Sequence, residues 1–194
     1  MKPIKIVLVL FLFLCSAIAA QQKTDLSNEP GYFEFKDIAQ FKNAEPVTEV
    51  YLEEPMLKMI TKMTDKKNEG LGNMIGGLKL VKVNEYSIEQ NDFEATENTL
   101  ESIGKSLQAK DWDRIIRSKH KNNIDNIYVK RDKNGEFAGL VVASLHINAA
   151  EKSEKSSGKV TLVNIVGKID LNSLGAFSKQ FNIPGLDKPK NKED

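Results

Sequence analysis

Cysteine, histidine and aromatic residues are scarce in this chain. Its 194 residues include one cysteine and two histidines, and Phe, Trp and Tyr together make up 7%. A lone cysteine can close no disulfide within the chain, so the fold must hold without that restraint even in a compartment that would permit it. Two distant histidines and no cysteine pair give no familiar zinc pattern, because such a site needs three or four ligands at compatible spacing. An excess of one charge is also missing. Against 28 Lys and Arg stand 27 Asp and Glu, or 26 against 27 without Lys2 and Lys5, which excludes a global field that would draw in nucleic acid or an anionic lipid surface. The only prominent apolar run, Ile6 to Leu14, is about half of the ~20 residues that a membrane-spanning helix requires. No integral membrane span is expected.

That run belongs to a secretory signal. Lys2 and Lys5 precede it, and the small residues Ser16, Ala17, Ala19 and Ala20 follow. Cys15 lies where two cleavage chemistries compete. Leu12 suits a lipoprotein signal, but Phe13 and Leu14 are bulky where small side chains are needed, whereas Ala17-Ile18-Ala19 supplies the small-x-small pattern of ordinary signal cleavage next to Ala20. The preferred reading is a signal peptide over residues 1–20 that carries Cys15 away, with export to the periplasm or medium. The alternative is a lipoprotein anchored at Cys15. Beyond the signal, residues 21–44 read as an N-terminal lead, 45–186 as a single domain of ordinary size, and 187–194 as a polar disordered tail.

Within the lead, Tyr32, Phe33, Phe35, Ile38 and Phe41 can lay one short element on a core. "VTEVYLEE" is β-rich, and Pro55 after it suits the start of a helix in which Met56, Met59, Ile60 and Met63 form an apolar stripe, with Lys58, Lys62 and Lys66 facing water. A second strand is expected from about Lys79 to Ile88. Phe93, Leu100, Ile103 and Leu107 then repeat at helical spacing, and Trp112, Ile115 and Ile116 suggest a further short helix capped by Asp111.

Asn134-Gly135 favours a two-residue type I′ turn and hence a hairpin. With Lys133 opposite Glu136, Ile127 faces Val142 and Val129 faces Leu140 on one side, while Tyr128 faces Val141 and Ile124 faces Leu145 on the other. Apolar groups on both sides predict a hairpin at the sheet's centre or covered on both faces. A strand from about Lys159 to Ile169 follows, then a helix carrying Leu171, Leu174, Phe177 and Phe181, stopped by Pro184 and Gly185. The order β-α-β-α-β-β-β-α predicts an α+β fold, a mixed, mainly antiparallel sheet of about five strands with helices packed on it.

The ordered segments "VTEVYLEEPMLKMI", "MIGGLKLVKVNEYS", "WDRIIRS", "IYVKRDKNGEFAGLVV" and "VNIVGKIDLNSLGAF" resemble the bacterial envelope family DUF4252, a domain of unknown function. The resemblance covers nearly the whole mature domain and ends in Gly167 to Leu171. It implies an exported protein, often a lipoprotein, and it transfers no catalytic residue.

Candidate chemistry is thin. His120 lies between Lys119 and Lys121 in an expected loop, and His146 sits near a strand end; both read as structural or solvated rather than as ligands. Met56, Met59 and Met63 suit copper(I) as thioethers, but the interleaved Leu57 and Ile60 make the face equally good as core, the preferred reading. Gly70, Gly72 and Gly76 follow a helix and precede a strand, the reverse of a phosphate loop. "IGKS" at Ile103 to Ser106 has Thr99 where such a loop needs its first glycine. No Gly-x-Ser-x-Gly elbow is present. Glu53-Glu54 and the Asp111, Asp113 pair around Trp112 read as a strand end and a helix cap. No catalytic, cofactor-binding or metal-binding residue is assigned, and no cofactor is expected. The leading expectation is a non-enzymatic envelope protein that binds an unidentified envelope or periplasmic protein. The alternative is an exported small-molecule-binding or hydrolase domain with carboxylates or His146 lining a polar cleft.

Overall fold

The computed structural model describes residues 25–35, 38, 40, 41, 43–63, 72, 75–120, 123–148 and 157–170. Its elements run β1 (Thr48–Glu53), α1 (Glu54–Met63), β2 (Leu78–Glu89), a 3-10 turn (Gln90–Asp92), α2 (Phe93–Gln108), β3 (Asp113–His120), β4 (Asn123–Arg131), β5 (Phe137–Asn148) and β6 (Ser157–Gly167). The six strands form one sheet in the order β1-β2-β6-β5-β4-β3, and every neighbouring pair is antiparallel.

Two-residue alternation sends each strand's side chains to two faces. On one face Val81, Val83, Ile127, Val129, Leu140, Val142, Val163 and Ile165 cluster with Leu57 of α1. On the other, Tyr86, Ile88, Tyr128, Val141, Ala143, Leu145, Val160 and Leu162 lie with Leu100, Ile103 and Leu107 of α2. Phe33, Phe35 and Phe41 of the lead join this second cluster. Both faces of the β4–β5 hairpin are therefore apolar because β5 runs near the middle of the sheet and is covered on each side.

Buried Asn164 on β6 pins the lead. Its Oδ1 accepts the Phe33 N–H (2.9 Å), and its Nδ2 donates to the Gly31 carbonyl (2.9 Å) and the Leu140 carbonyl (3.3 Å). Lys82, buried on β2, reaches Glu34 at 3.0 Å. Gly31 passes so close to β5 that a Cβ there would stand 1.9 Å from the Ala138 carbonyl oxygen, a distance no side chain tolerates.

Four expectations are corrected. The strand count is six rather than five, because the segment read as a short helix at Trp112 is β3. Its three-residue apolar spacing fits a helix, but β-branched Ile115 and Ile116 also suit a strand, and α2 closes before it. Asp111 is no N-cap: at φ 57° it is the left-handed residue that ends α2. Its N–H donates to Gln108 and that of Trp112 to Leu107, the paired bonds of a Schellman closure. Second, the described order is thus β-α-β-α-β-β-β-β; the expected last helix at 171–181 lies outside the described residues.

Third, the hairpin turn is not the two-residue type I′ turn. Asp132, not Lys133, stands opposite Glu136: the Asp132 N–H donates to the Glu136 carbonyl, and the Gly135 N–H to the Asp132 carbonyl. Gly135 alone takes positive φ, 83°, and the Asp132 carboxylate accepts the N–H groups of Asn134 and Glu136. This is a three-residue loop with a glycine bulge. An irregularity between Lys130 and Arg131 absorbs the difference, so the pairs Ile124–Leu145, Ile127–Val142, Tyr128–Val141 and Val129–Leu140 form as expected. Fourth, the methionine stripe of α1 is not core. Leu57 and Ile60 turn to the sheet, while Met56, Met59 and Met63 are 46%, 51% and 75% exposed.

Candidate functional site

Three places on this scaffold concentrate groups that packing does not require. The first is half of the α1 face. In register across all six strands, the apolar row Val50, Val83, Val163, Val142, Ile127, Ile116 is followed by a polar row: Thr48, Glu85, Thr161, Ser144, Asp125, Ser118. The next row outward is Ser87, Lys159, His146, Asn123, His120. Ser144 and Thr161 are buried.

Ions on these rows answer one another. His146 Nε2 lies 2.9 Å from Asp125 Oδ1, and Lys159 Nζ lies 3.2 Å from Glu85 Oε2. The hydrogen bond that the His146 ring donates to Asp125, with the carboxylate's charge, raises the His146 pKa above its ordinary value against the opposing effect of partial burial. A histidine held by a carboxylate is the base-and-orienter half of a catalytic triad. Among the described residues no hydroxyl hydrogen-bonds to it, and no group of three His, Cys, Asp or Glu side chains could hold a metal ion. His120 ends β3, exposed and apart from that pair.

The second place is the outer side of α1. Spacing of three and four residues sets Met56, Met59 and Met63 on one side of the helix, while Glu54 and Lys58 pair with each other at 2.5 Å. The third is a cavity of about 510 Å³ lined by Gln40, Phe41, Glu45, Tyr86, Ser87 and Asp92 among others. Phe41 and Tyr86 stack at 4.7 Å in its wall.

The residues singled out from the sequence do not converge. Glu53 and Glu54 stand at the β1–α1 junction, Asp111 and Asp113 flank Trp112 at the end of α2, and His146 lies on the polar rows. None of them lines the cavity. Gly104 of "IGKS" is buried in α2, where a Cβ would meet Tyr128 Oη at 2.3 Å, so it serves packing. Gly72 is buried as well, and Gly70 lies outside the described residues. Sequence reasoning missed Asn164, Lys82 and Ser87. A lone asparagine in an otherwise apolar strand was the available signal for the first.

These features define a class: an antiparallel α+β sheet domain with a helix on each face. Residues 41–177 match the family model described as "Domain of unknown function (DUF4252)", and the chain belongs to that family. No curated protein and no solved structure matches it. No described helix is long and apolar enough to cross a membrane.

Proposed function

We propose that the protein is exported, loses Cys15 with its signal, and works as a non-enzymatic binding module for another envelope or periplasmic protein. The observation that carries this reading is the exposed methionine side of α1. Thioether side chains are flexible and polarisable, so a methionine-rich surface adapts to a protein partner.

The test places a photo-cross-linker at position 59 of the full chain in its native envelope. A discrete protein adduct, lost on the triple change Met56→Glu, Met59→Glu, Met63→Glu, is the expected result; no adduct, or one indifferent to those changes, removes the reading. Intact mass tests export separately. A chain starting at Ala20 or Gln21 supports it, an acylated Cys15 converts it to a tethered form, and a chain starting at Met1 overturns it.

The second reading is a ligand-binding or hydrolytic domain. It is favoured by the cavity's polar rim of Gln40, Glu45, Ser87, Asp92 and Thr99. Its test is a screen of small molecules by thermal shift, with loss of any hit on Glu45→Gln.

A further inference from the structure

β2 is longer than its outer neighbour. It pairs with β6 as far as Glu89, opposite Ser157, but with β1 only as far as Glu85, opposite Thr48. The Val47 N–H still donates to the Glu85 carbonyl at 2.7 Å. Before Val47 the chain leaves the sheet edge. Backbone groups alternate sides along a strand, so Ser87, two residues beyond Glu85, directs its N–H and C=O to the same outer side. Among the described residues no hydrogen bond from a turn, loop or side chain reaches the outer side of Ser87, and at Glu89 the chain passes into the 3-10 turn. This leaves the outward N–H and C=O of Ser87 open at the edge of the sheet.

The cavity runs along this edge. Tyr86, Ser87 and Ile88 form one wall, Phe41, Ala44 and Glu45 another, and Asp92, Ala95 and Thr99 the third. Its volume of about 510 Å³ falls within the ~300 to 1,000 Å³ of ordinary ligand sites. Phe41, Tyr86 and Ile88 make the wall apolar, and among the described residues the charged ones that line it are the exposed carboxylates Glu45 and Asp92.

Contrast the other edge of the sheet. β3 is guarded by Arg114, Arg117 and Lys119 and by an irregularity between Arg114 and Ile116, devices that discourage strand addition. The Tyr86 to Glu89 edge carries no cation, and it is recessed between walls rather than defended by charge.

We infer that this edge of β2 is an acceptor for an extended peptide segment of another protein, which adds a short strand beside Ser87. One apolar side chain of the segment fills the cavity, and a Lys or Arg neighbour meets Glu45 and Asp92. Backbone bonds supply affinity in this mode and the pocket supplies selectivity. The site shares no residue with the methionine side of α1, so either can fail alone.

The probe is a displayed library of random heptapeptides selected on the full mature chain. Enriched peptides should alternate apolar with basic residues. Ser87→Pro removes the outward N–H and should weaken them at least tenfold. Glu45→Lys combined with Asp92→Lys, two surface changes that leave the backbone intact, should weaken them similarly and shift selection toward acidic peptides. Failure to enrich any peptide overturns the inference, as does enrichment of peptides that bind both variants within twofold of the parent.

Discussion

Along β2, Val81 and Val83 face α1 while Tyr86 and Ile88 face α2, and the two faces so made end differently. Beneath α2 and the lead, apolar side chains run from Tyr128 and Val141 out to Val160 and Ile124, and the polar residues among them, Asn84 and Asn126, are buried. Beneath α1 the apolar side chains stop at the row from Val50 to Ile116, and the two rows beyond are polar. One set of strands is thus covered along its length on one face and over only part of it on the other. Alternation decides which side a residue takes; it does not decide how far the cover on that side extends.

The sharpest way to break this contrast is to release the lead from the sealed face. Asn164→Ala leaves the Phe33 N–H and Gly31 carbonyl buried without their partner and should cost about 3 kcal/mol in urea unfolding, at roughly 1 to 3 kcal/mol for each buried group left unpaired. A change below about 1 kcal/mol would show that the lead contributes little to that face. Next in size is the fit of α2. Gly104→Ala drives a methyl to 2.3 Å from Tyr128 Oη and should cost about 2 kcal/mol, typical of overpacking. Adding Tyr128→Phe should recover most of it, because the nearest ring atom then stands at 3.3 Å. Additive losses in the double variant would place the strain elsewhere.

On the open face the expected effect depends on pH. The His146 pKa is raised in the fold by Asp125, so this pair contributes fully below the unfolded histidine pKa of about 6.5. Its contribution fades as pH rises through the folded value. The melting-temperature gap between the parent and His146→Gln should therefore be widest near pH 5.5 and close toward pH 8.5. An NMR titration placing His146 at or below the unfolded value would reverse the assignment. Smallest of all is the outer side of α1. Replacing Met56, Met59 and Met63 together by Leu should leave stability within about 0.5 kcal/mol, as for exposed positions; a larger loss would mean that these side chains are packed.

Much of the sheet was legible because pairing obeys a period of two. Ile127 against Val142 and Tyr128 against Val141 follow from counting back from one turn, and they survive an error in the type of that turn. The helical period was less secure over short spans. Trp112, Ile115 and Ile116 fit three-residue spacing, but the Schellman closure at Asp111 ends α2 and starts a strand. In α1, Leu57 with Ile60 and Met56 with Met59 and Met63 describe two adjacent stripes, and spacing alone does not say which one meets the sheet. The candidate sites were scarcely legible. His146 and Asp125 are 21 positions apart, and Phe41, Ser87 and Asp92 meet only where β1 stops short.

By itself the sequence determined the alternating strands, the central hairpin with its register, and the family, because each rests on local chemistry or on an ordered set of motifs. Tertiary structure decided which stripe of α1 is buried, how Asn164 holds the lead, that one polar row crosses all six strands, and that β2 outruns β1. These depend on contacts between residues far apart in the chain, whose geometry no local period encodes.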